Sequence, residues 1–378
     1  MADVVVAGAG VLGAFAALAL QERGLDVVLC DPWEPGHPRA TSSSETRVIR
    51  AIYGTDRLYA EWSWNALRLW ERFEDETGRR LLHRTGVLWL ASESDGYAAA
   101  GLATMRELGI DVERVAAAEI ARRFPAIDAE GLSFGVIEPR MGALMAREGV
   151  RVAVELFESR GGSLLRGAAR LDGPAEGPLD AIRVGSERLI AASFVFACGP
   201  WLPQVFPELP AGFVRSHRAE ELYFGVPAGN RDFDADRLPT WVEIGQYYGI
   251  PALDGRGFKV GIDRPGEEID PSHSPRLLDP GTVGRIRGFL ARRFPGVADA
   301  PLVDSRVCTY ELTPDEHLLV DRHPRHENVI LLGGGSGHAY KLAPVLGGYV
   351  ADMATGARKD TEPRFRLGPR TARGWREP

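Results

Sequence analysis

The feature that most constrains this chain is a glycine pattern close to its N-terminus. Gly8, Gly10 and Gly13 follow the apolar run 4–7 directly and precede a segment of small, helix-favouring residues, 14–21. A tight turn, a close approach of the backbone to a ligand and a close helix–strand contact each require glycine, and together they are typical of a turn that holds a pyrophosphate at a helix N-terminus. The pattern therefore predicts a strand–turn–helix unit that binds a dinucleotide.

A second strand with an acidic end supports this prediction. Residues 27–30 form another short apolar run, and Asp31 follows it. An acid in this position accepts hydrogen bonds from ribose hydroxyls and disfavours a cofactor with a 2′-phosphate. The motif alone does not distinguish FAD from NAD.

The rest of the chain predicts an α/β domain interrupted by a β-rich part. Residues 210–305 contain short apolar runs separated by loops rich in Pro, Gly and Asp, which is typical of an antiparallel sheet. The α/β pattern returns with a strand over 328–332. Other predicted helices are 57–76, 147–159 and 343–355, and other predicted strands are 86–91 and 189–199.

Composition excludes several classes of protein. The net charge is −7 and the arginines are scattered among acids, which argues against a nucleic-acid partner. No run reaches the roughly 18 apolar residues of a membrane helix, and no basic segment typical of a secretory signal precedes the first strand. Cys30, Cys198 and Cys308 are too far apart in sequence for a zinc motif or a disulfide framework. We therefore expect a cytoplasmic protein without a metal site or a membrane contact.

Three further segments carry a resemblance to a known family. They are 42-SSSETRVIR-50, 308-CTYELTPDEHLLVD-321 and 334-GGSGHAYKLAPVLGG-348. Together with the N-terminal motif they resemble the monomeric sarcosine oxidase and N-methyltryptophan oxidase family, which are FAD-dependent amine oxidases of the D-amino-acid-oxidase-like superfamily. The resemblance runs from residue 4 to about residue 356. It implies FAD as cofactor and a monomeric protein.

The resemblance also implies a fold and a division into domains. We expect an α/β FAD-binding Rossmann-like domain with an inserted α+β substrate domain that is rich in antiparallel sheet. The FAD-binding domain is expected to comprise 1–85, 140–210 and 307–378, and the substrate domain 86–139 and 211–306.

Several residues match the family's cofactor-binding positions. Cys308 matches the cysteine that is joined through sulfur to the flavin 8α-methyl group, and Arg47 matches the arginine placed against the flavin ring. The serines Ser43 and Ser44 stand where the family typically has histidines. The predicted cofactor-binding residues are Gly8, Gly10, Gly13, Asp31, Ser42, Ser43, Thr46, Arg47, Gly199, Cys308, Gly335, Gly337, His338 and Lys341.

Lysine is rare in this chain, which draws attention to its positions. Only three of the 45 basic residues are lysines, and two of them match functional lysines of the family. Lys341, with Arg50, is expected to hold a substrate carboxylate, whereas Lys259 is expected beneath the opposite flavin face. A fixed cation there favours electron transfer to O2. Tyr248 and Tyr310 match tyrosines that wall the substrate pocket.

Two departures from the family concern the space beside the flavin. Asp263 stands where sarcosine oxidase has a histidine. Its carboxylate would attract a cationic substrate side chain and could neutralise Lys259. Ala339 replaces a glycine, which changes the room beside the ring.

The resemblance implies an oxidase of a small secondary amine that carries a carboxylate, such as an N-methyl or cyclic amino acid, with an imine and hydrogen peroxide as products. Glycated and primary amino acids stay open as substrates. One alternative is a flavin amine dehydrogenase that passes electrons to an acceptor other than O2, and another is a flavin-binding protein without catalysis.

Overall fold

The computed structural model describes residues 1–372, which contain three β-sheets and eight α-helices. The helices, α1 to α8 in chain order, are Val11–Glu22, Arg57–Thr77, Gly96–Glu107, Ala117–Arg123, Ala146–Ser159, Leu202–Val205, Pro280–Arg293 and Ala343–Ala354. The strands, β1 to β19, are Ala2–Ala7, Val27–Asp31, Thr46–Ile49, Leu82–His83, Val87–Ala91, Glu113–Ala116, Phe134–Glu138, Gly142–Met145, Ser163–Arg166, Ala169–Asp172, Ala181–Val184, Glu187–Phe196, Arg215–Phe224, Thr240–Glu243, Tyr247–Ile250, Phe258–Ile262, Leu302–Leu312, Leu319–Arg322 and Val329–Gly333.

The first sheet has a parallel centre built around β1. Its five parallel strands lie in the order β9-β2-β1-β12-β19, and β18 pairs antiparallel with β19 at the edge. The strands β10 and β11 extend the sheet from the first half of β12. Since β1 has a strand on each side and is buried on both faces, its sequence is a continuous apolar run rather than an alternating one. This arrangement confirms the Rossmann-like prediction.

A helical layer covers this parallel centre. Helix α1 packs against α8 and α5, and its residues from Val11 to Leu20 are all buried. The contact with α8 is close because Gly347 has no side chain: a Cβ atom there would lie 2.4 Å from the carbonyl oxygen of Phe15. Helix α2 adds Trp70 and Phe73, whose rings pack edge-on against Phe15 at centroid distances of 4.9 and 5.1 Å.

The second sheet is largely antiparallel, as the sequence predicted for the middle of the chain. Its strands lie in the order β17-β13-β16-β15-β14-β5-β7-β6, with only β14 and β5 parallel to each other. A separate apolar core supports it, in which Trp241 packs against Phe258, Phe289 and Phe294. The proposed domain division stays a prediction, and its boundary between residues 306 and 307 falls inside β17.

A small third sheet, in the order β3-β8-β4, carries the segment that follows the polar loop 36–45. Over residues 1–372, no helix is both long and apolar enough to cross a bilayer. The same residues contain no cluster of His, Cys, Asp and Glu that could hold a metal ion.

Candidate active site

Three cavities follow one another and are lined by residues from all three sheets. The nucleotide cavity, of about 670 Å³, is lined by the glycine turn and Asp31. The middle cavity shares Val11, Leu12, Thr41, Ser42 and Glu311 with it. The inner cavity in turn shares Arg47, Tyr310, Gly337, His338 and Tyr340 with the middle one. Because neighbouring cavities share walls, they form one elongated site that suits a long ligand with a nucleotide at one end.

The glycine turn has the geometry that the sequence predicted. Gly8 has a φ of +107°, and a Cβ atom on it would lie 2.3 Å from the carbonyl oxygen of Ala197. A Cβ atom on Gly13 would lie 1.8 Å from the carbonyl oxygen of Gly8. Gly10 is the N-cap of α1 and offers no side-chain cap, and the first turn of the helix has no acid. The helix N-terminus therefore suits an anion such as a pyrophosphate.

Asp31 lies at the nucleotide cavity, but its carboxylate already accepts two backbone hydrogen bonds. The amide of Ala9 donates to Oδ2 at 2.7 Å and the amide of Trp33 donates to Oδ1 at 2.8 Å. Asp31 therefore shapes the turn as well as lining the cavity, a role that the sequence did not reveal. Burial raises the pKa of this carboxyl above its ordinary value, and the two amides oppose that rise.

Glu311 is a buried acid that the sequence analysis missed. It lies on β17 and lines both the nucleotide and the middle cavities. Among the described residues its Oε2 has no hydrogen-bond partner, and burial raises its pKa to about 7. A buried polar atom without a partner is rare in proteins. Its position on the cavity wall, together with the glycine turn, fits a cofactor with hydroxyl and phosphate groups, as FAD has.

Two of the predicted substrate-binding residues, Arg50 and Lys341, both line the inner cavity. The guanidinium of Arg50 lies 4.5 Å from the ring centroid of Tyr53, and Nζ of Lys341 lies 4.9 Å from the same centroid. Nζ of Lys341 also donates to the carbonyl oxygen of His338 at 3.0 Å. Both side chains line the inner cavity and both residues are buried. The arrangement suits an anionic group of a ligand, and a carboxylate can accept from both.

Behind these cations lies Glu138, another acid that the sequence analysis did not single out. Its carboxylate accepts from Nε1 of Trp89 at 2.7 Å and from the amide of Ala51 at 2.5 Å. Burial raises its pKa, whereas Arg50 and Lys341 act in the opposite direction. Glu138 thereby holds the backbone next to Arg50.

The remaining walls of the inner cavity include three predicted residues, Tyr248, Tyr310 and Asp263. The hydroxyl of Tyr248 donates to Glu221 at 3.1 Å, and Oδ2 of Asp263 accepts from the amide of Gly245 at 3.1 Å. The structure thus brings a carboxylate to the same cavity as Arg50 and Lys341. One part of the cavity can therefore hold an anion and another part a cation.

Lys259 is buried behind Arg47 and does not line any of the three cavities. Its Nζ donates to the carbonyl oxygen of Thr46 at 2.9 Å and to Oγ of Ser44 at 3.3 Å, and it pairs with Oε1 of Glu221 at 3.0 Å. Burial lowers the pKa of Lys259, and Glu221 partly offsets this.

The structure corrects one expectation from the sequence, namely that Asp263 could neutralise Lys259. The ion pair of Lys259 is with Glu221 instead. The same carboxylate oxygen accepts from Nη1 of Arg47 at 2.9 Å, and Ser44 contacts the other oxygen. Sequence reasoning missed Glu221 because 219-AEELYF-224 looks like an ordinary strand with two acids. The pairing of its strand with the strand of Lys259 is visible only in the structure.

Cys308 lies buried on β17, close to the same cluster. Burial raises the pKa of its thiol, and Glu221 acts in the same direction, whereas Arg47 and Lys259 favour the thiolate. Cys308 is not among the residues that line the three cavities. Its neighbours nevertheless include Arg47, which lines two of them.

The other predicted cofactor residues divide into five that line the cavities and two, Ser43 and Thr46, that do not. Oγ of Ser42 accepts from the amide of Val11 at 3.4 Å, and Oγ of Ser43 donates to the carbonyl oxygen of Pro38 at 3.0 Å. His338 uses both ring nitrogens, with Tyr53 at 3.1 Å and the carbonyl oxygen of Glu316 at 3.0 Å. The cavity-lining residues of this group are Ser42, Gly199, Gly335, Gly337 and His338.

Known proteins include relatives that match nearly the whole chain. A family model described as FAD dependent oxidoreductase (DAO) matches residues 3–353. The chain is 29% identical over 358 residues to monomeric sarcosine oxidase from Arthrobacter sp. (strain TE1826), covering 93% of this chain and 92% of that protein. It is also 29% identical over 376 residues to N-methyl-L-tryptophan oxidase from Citrobacter koseri, covering 97% of each. The crystal structure of L-proline dehydrogenase from P. horikoshii has a similar fold, with a TM-score of 0.82 over 94% of each chain at 18% identity.

Proposed function

The chain belongs to the FAD dependent oxidoreductase (DAO) family, and from that premise we propose that it oxidises a small secondary amine that carries a carboxylate, an N-methyl or cyclic amino acid. The products are an imine and hydrogen peroxide. The observation that carries the proposal is the pair of buried cations, Arg50 and Lys341, at the inner cavity. The relatives named monomeric sarcosine oxidase and N-methyl-L-tryptophan oxidase support the same substrate class.

In this proposal the substrate carboxylate binds to Arg50 and Lys341. The planar guanidinium of Arg50 donates two parallel hydrogen bonds, and the ammonium of Lys341 adds a point charge. Tyr248 and Tyr310 wall the amine end and exclude water. Holding the substrate in one orientation supplies a large part of the rate enhancement. FAD, held by the glycine turn, Arg47 and the residues of the middle cavity, supplies the acceptor for two electrons.

The electrons and protons balance without a protein nucleophile. The amine loses two electrons and two protons to become an imine, and O2 takes up two electrons and two protons to become hydrogen peroxide. The imine then hydrolyses in water. In the proposed oxidase, the buried cation Lys259 favours the electron transfer to O2 from behind Arg47.

An anaerobic titration tests the substrate class. The flavin-loaded protein is mixed with N-methyl and cyclic amino acids and, in parallel, with their amides, which lack the carboxylate. We expect the acids to bleach the flavin absorbance and the amides to leave it unchanged. If no compound with a carboxylate bleaches the flavin, the proposed role of Arg50 and Lys341 is wrong.

A substitution tests whether Arg50 itself binds the substrate carboxylate. Arg50→Gln removes a charge-assisted pair of hydrogen bonds, so we expect the dissociation constant of the bleaching acid to rise by roughly 10- to 100-fold. Arg57→Gln is the matched control because Arg57 lies in an exposed ion pair with Glu107 that joins α2 to α3. Equal affinity in both variants would contradict the carboxylate clamp.

A second candidate function is a flavin amine dehydrogenase that uses an acceptor other than O2. One observation favours it: the ammonium of Lys259 has three donors, and they contact Thr46, Ser44 and Glu221. Its charge is thereby partly neutralised. Peroxide formation in air during turnover supports the oxidase, whereas turnover that needs an artificial dye and yields no peroxide supports the dehydrogenase.

A further inference from the structure

A cluster of buried and partly buried charges surrounds Glu221. The side chain of Glu221 is 3% exposed and that of Lys259 is 2% exposed, and their charged atoms are 3.0 Å apart. Arg47 approaches the same carboxylate oxygen at 2.9 Å, with 16% exposure of its side chain. Tyr248 donates to this oxygen as well, at 3.1 Å. One buried carboxylate therefore links a buried lysine to two residues that line the inner cavity.

The charge of the cluster follows from these contacts. Burial alone would raise the pKa of Glu221, but Lys259 and Arg47 outweigh burial and lower it to about 2, so Glu221 is ionised at neutral pH. Two cations and one anion leave the cluster with a net charge of +1. Without Glu221 the two protonated cations would carry +2, with Arg47 on the wall of the inner cavity and Lys259 behind it.

Packing alone does not require an acid at this position. The strand β13 is otherwise apolar from Leu222 to Phe224, and on its neighbour β16 the residues Val260 and Gly261 pair with Leu222 and Glu221. A buried ion pair usually contributes little stability compared with well-packed apolar residues. What Glu221 adds is electrostatic: it fixes the position of Lys259 and Arg47 and cancels one of their charges.

We propose that Glu221 is a positioning residue that sets the reduction potential of the flavin by neutralising one of the two cations it contacts, Lys259 behind the inner cavity and Arg47 on its wall. The inference rests on the proposed function only in placing the flavin ring against Arg47. Reduction adds negative charge to the flavin, which nearby positive charge stabilises and nearby negative charge opposes. Glu221 therefore holds the potential lower than the two cations alone would set it.

The experiment is a measurement of the midpoint potential in the flavin-loaded protein, by equilibration with a reference dye and without any amine substrate. Glu221→Gln keeps the shape of the side chain and removes its charge. We expect the potential to rise, with a roughly tenfold increase in the ratio of reduced to oxidised protein at a fixed dye potential, the scale of one charge several ångströms away at an effective dielectric constant of about 20.

Glu220→Gln is the matched control. Glu220 is the adjacent residue on the same strand and is also buried, but its carboxylate pairs with Arg218 at 2.6 Å and accepts from the amide of Asp279 at 2.9 Å, away from the three cavities. We expect a clearly smaller shift in this variant. Equal shifts in the two variants, or no shift in Glu221→Gln, would overturn the proposal.

A second pair of variants keeps the test decisive if Glu221→Gln does not fold or does not retain flavin. Lys259→Met removes one cation, so the potential should fall below that of the unmodified protein. The double variant Glu221→Gln/Lys259→Met leaves Arg47 alone and restores the net charge of +1, so the potential should return close to the starting value. A double variant that matches Lys259→Met would contradict the role of Glu221.

The outcome is separable from that of the proposed function. If the potential responds as expected but no amino acid bleaches the flavin, the assignment of Glu221 stands and the substrate class is wrong. If amino acids bleach the flavin but the potential is insensitive to Glu221, only the assignment of Glu221 fails.

Discussion

At the scale of single residues, the buried acids around the cavities differ in their ion-pair and hydrogen-bond partners. Glu221 pairs with Lys259 and Arg47, and Glu138 accepts two hydrogen bonds next to Arg50. Glu311 is different because one of its carboxylate oxygens has no partner among residues 1–372. A buried carboxyl without a cation resists ionisation, and burial raises the pKa of Glu311 to about 7.

This difference predicts a pH dependence of stability. The raised pKa means that the folded protein holds the Glu311 proton more tightly than the unfolded chain, whose value is 4.5. The associated stability is fully present below about pH 4.5 and is lost as the pH rises through about 7. Relative to the Glu311→Gln variant, we expect the unmodified chain to lose up to about 3 kcal/mol of unfolding free energy over this range.

The measurement is urea unfolding of flavin-free protein, prepared in a Cys308→Ser background, at several pH values between 4 and 8. Glu119→Gln is the control because Glu119 is paired with Arg122 at the surface, where this pairing lowers its pKa rather than raising it. Parallel pH profiles for Glu311→Gln and the unmodified background would show that Glu311 ionises normally.

At the scale of elements, helix α1 shows how a local pattern and a tertiary contact combine. The spacing of its glycines predicted the turn, and the turn geometry explains why each glycine is needed. Gly13 lies in the first turn of α1, where alanine is normally the better helix former. Here the carbonyl oxygen of Gly8 lies 1.8 Å from the place that a Cβ atom would take, so it excludes any side chain.

We therefore predict opposite results for two identical substitutions in helices. Gly13→Ala must push the turn away from α1, so we expect a loss of about 1–3 kcal/mol or more of unfolding free energy and weaker retention of FAD. Gly284→Ala lies on the exposed side of α7, where a Cβ atom meets nothing within 4 Å, so it should be neutral or stabilising by about 0.5–1 kcal/mol. Thermal unfolding and flavin content measure both effects. A stable, fully flavinated Gly13→Ala protein would contradict this account of the turn.

At the scale of the whole molecule, the site is assembled from segments that are distant in sequence. Arg47 comes from β3 of the small sheet, Lys259 and Cys308 from the second sheet, and Lys341 from the turn before α8. Arg47 and Lys341 line the inner cavity, and Lys259 and Cys308 lie behind it. We therefore propose covalent attachment of FAD through Cys308 from the way these distant segments come together around the site, and not from the chemistry of the cysteine alone.

Acid precipitation tests this proposal directly. If the thioether forms, the yellow colour stays with the precipitated protein, and Cys308→Ser releases all of it into the supernatant. Cys30→Ser is the control because Cys30 is also a buried thiol whose pKa burial raises, yet it lies at the nucleotide cavity. Colour that leaves the unmodified protein entirely would contradict covalent attachment.

The sequence alone predicted the elements that depend on local patterns. The helix expected over 57–76 is Arg57–Thr77, which begins after the N-cap Asp56 and ends at Gly78 with a φ of +63°. The strand expected over 328–332 is Val329–Gly333 and joins β12 in the first sheet. Such predictions succeed because apolar spacing, caps and glycine turns act between residues that are near each other in the chain.

The sequence by itself therefore determined the dinucleotide-binding unit, the order of the main elements and the family to which the chain belongs. Only the tertiary structure decided which acids face which cations. Arg47 and Glu221 are 174 residues apart, and nothing local marks Glu221 as the partner of Lys259 rather than Asp263. The physical reason is that the energy of a charge depends on its burial and on its nearest charges, and both are fixed only when distant strands pair.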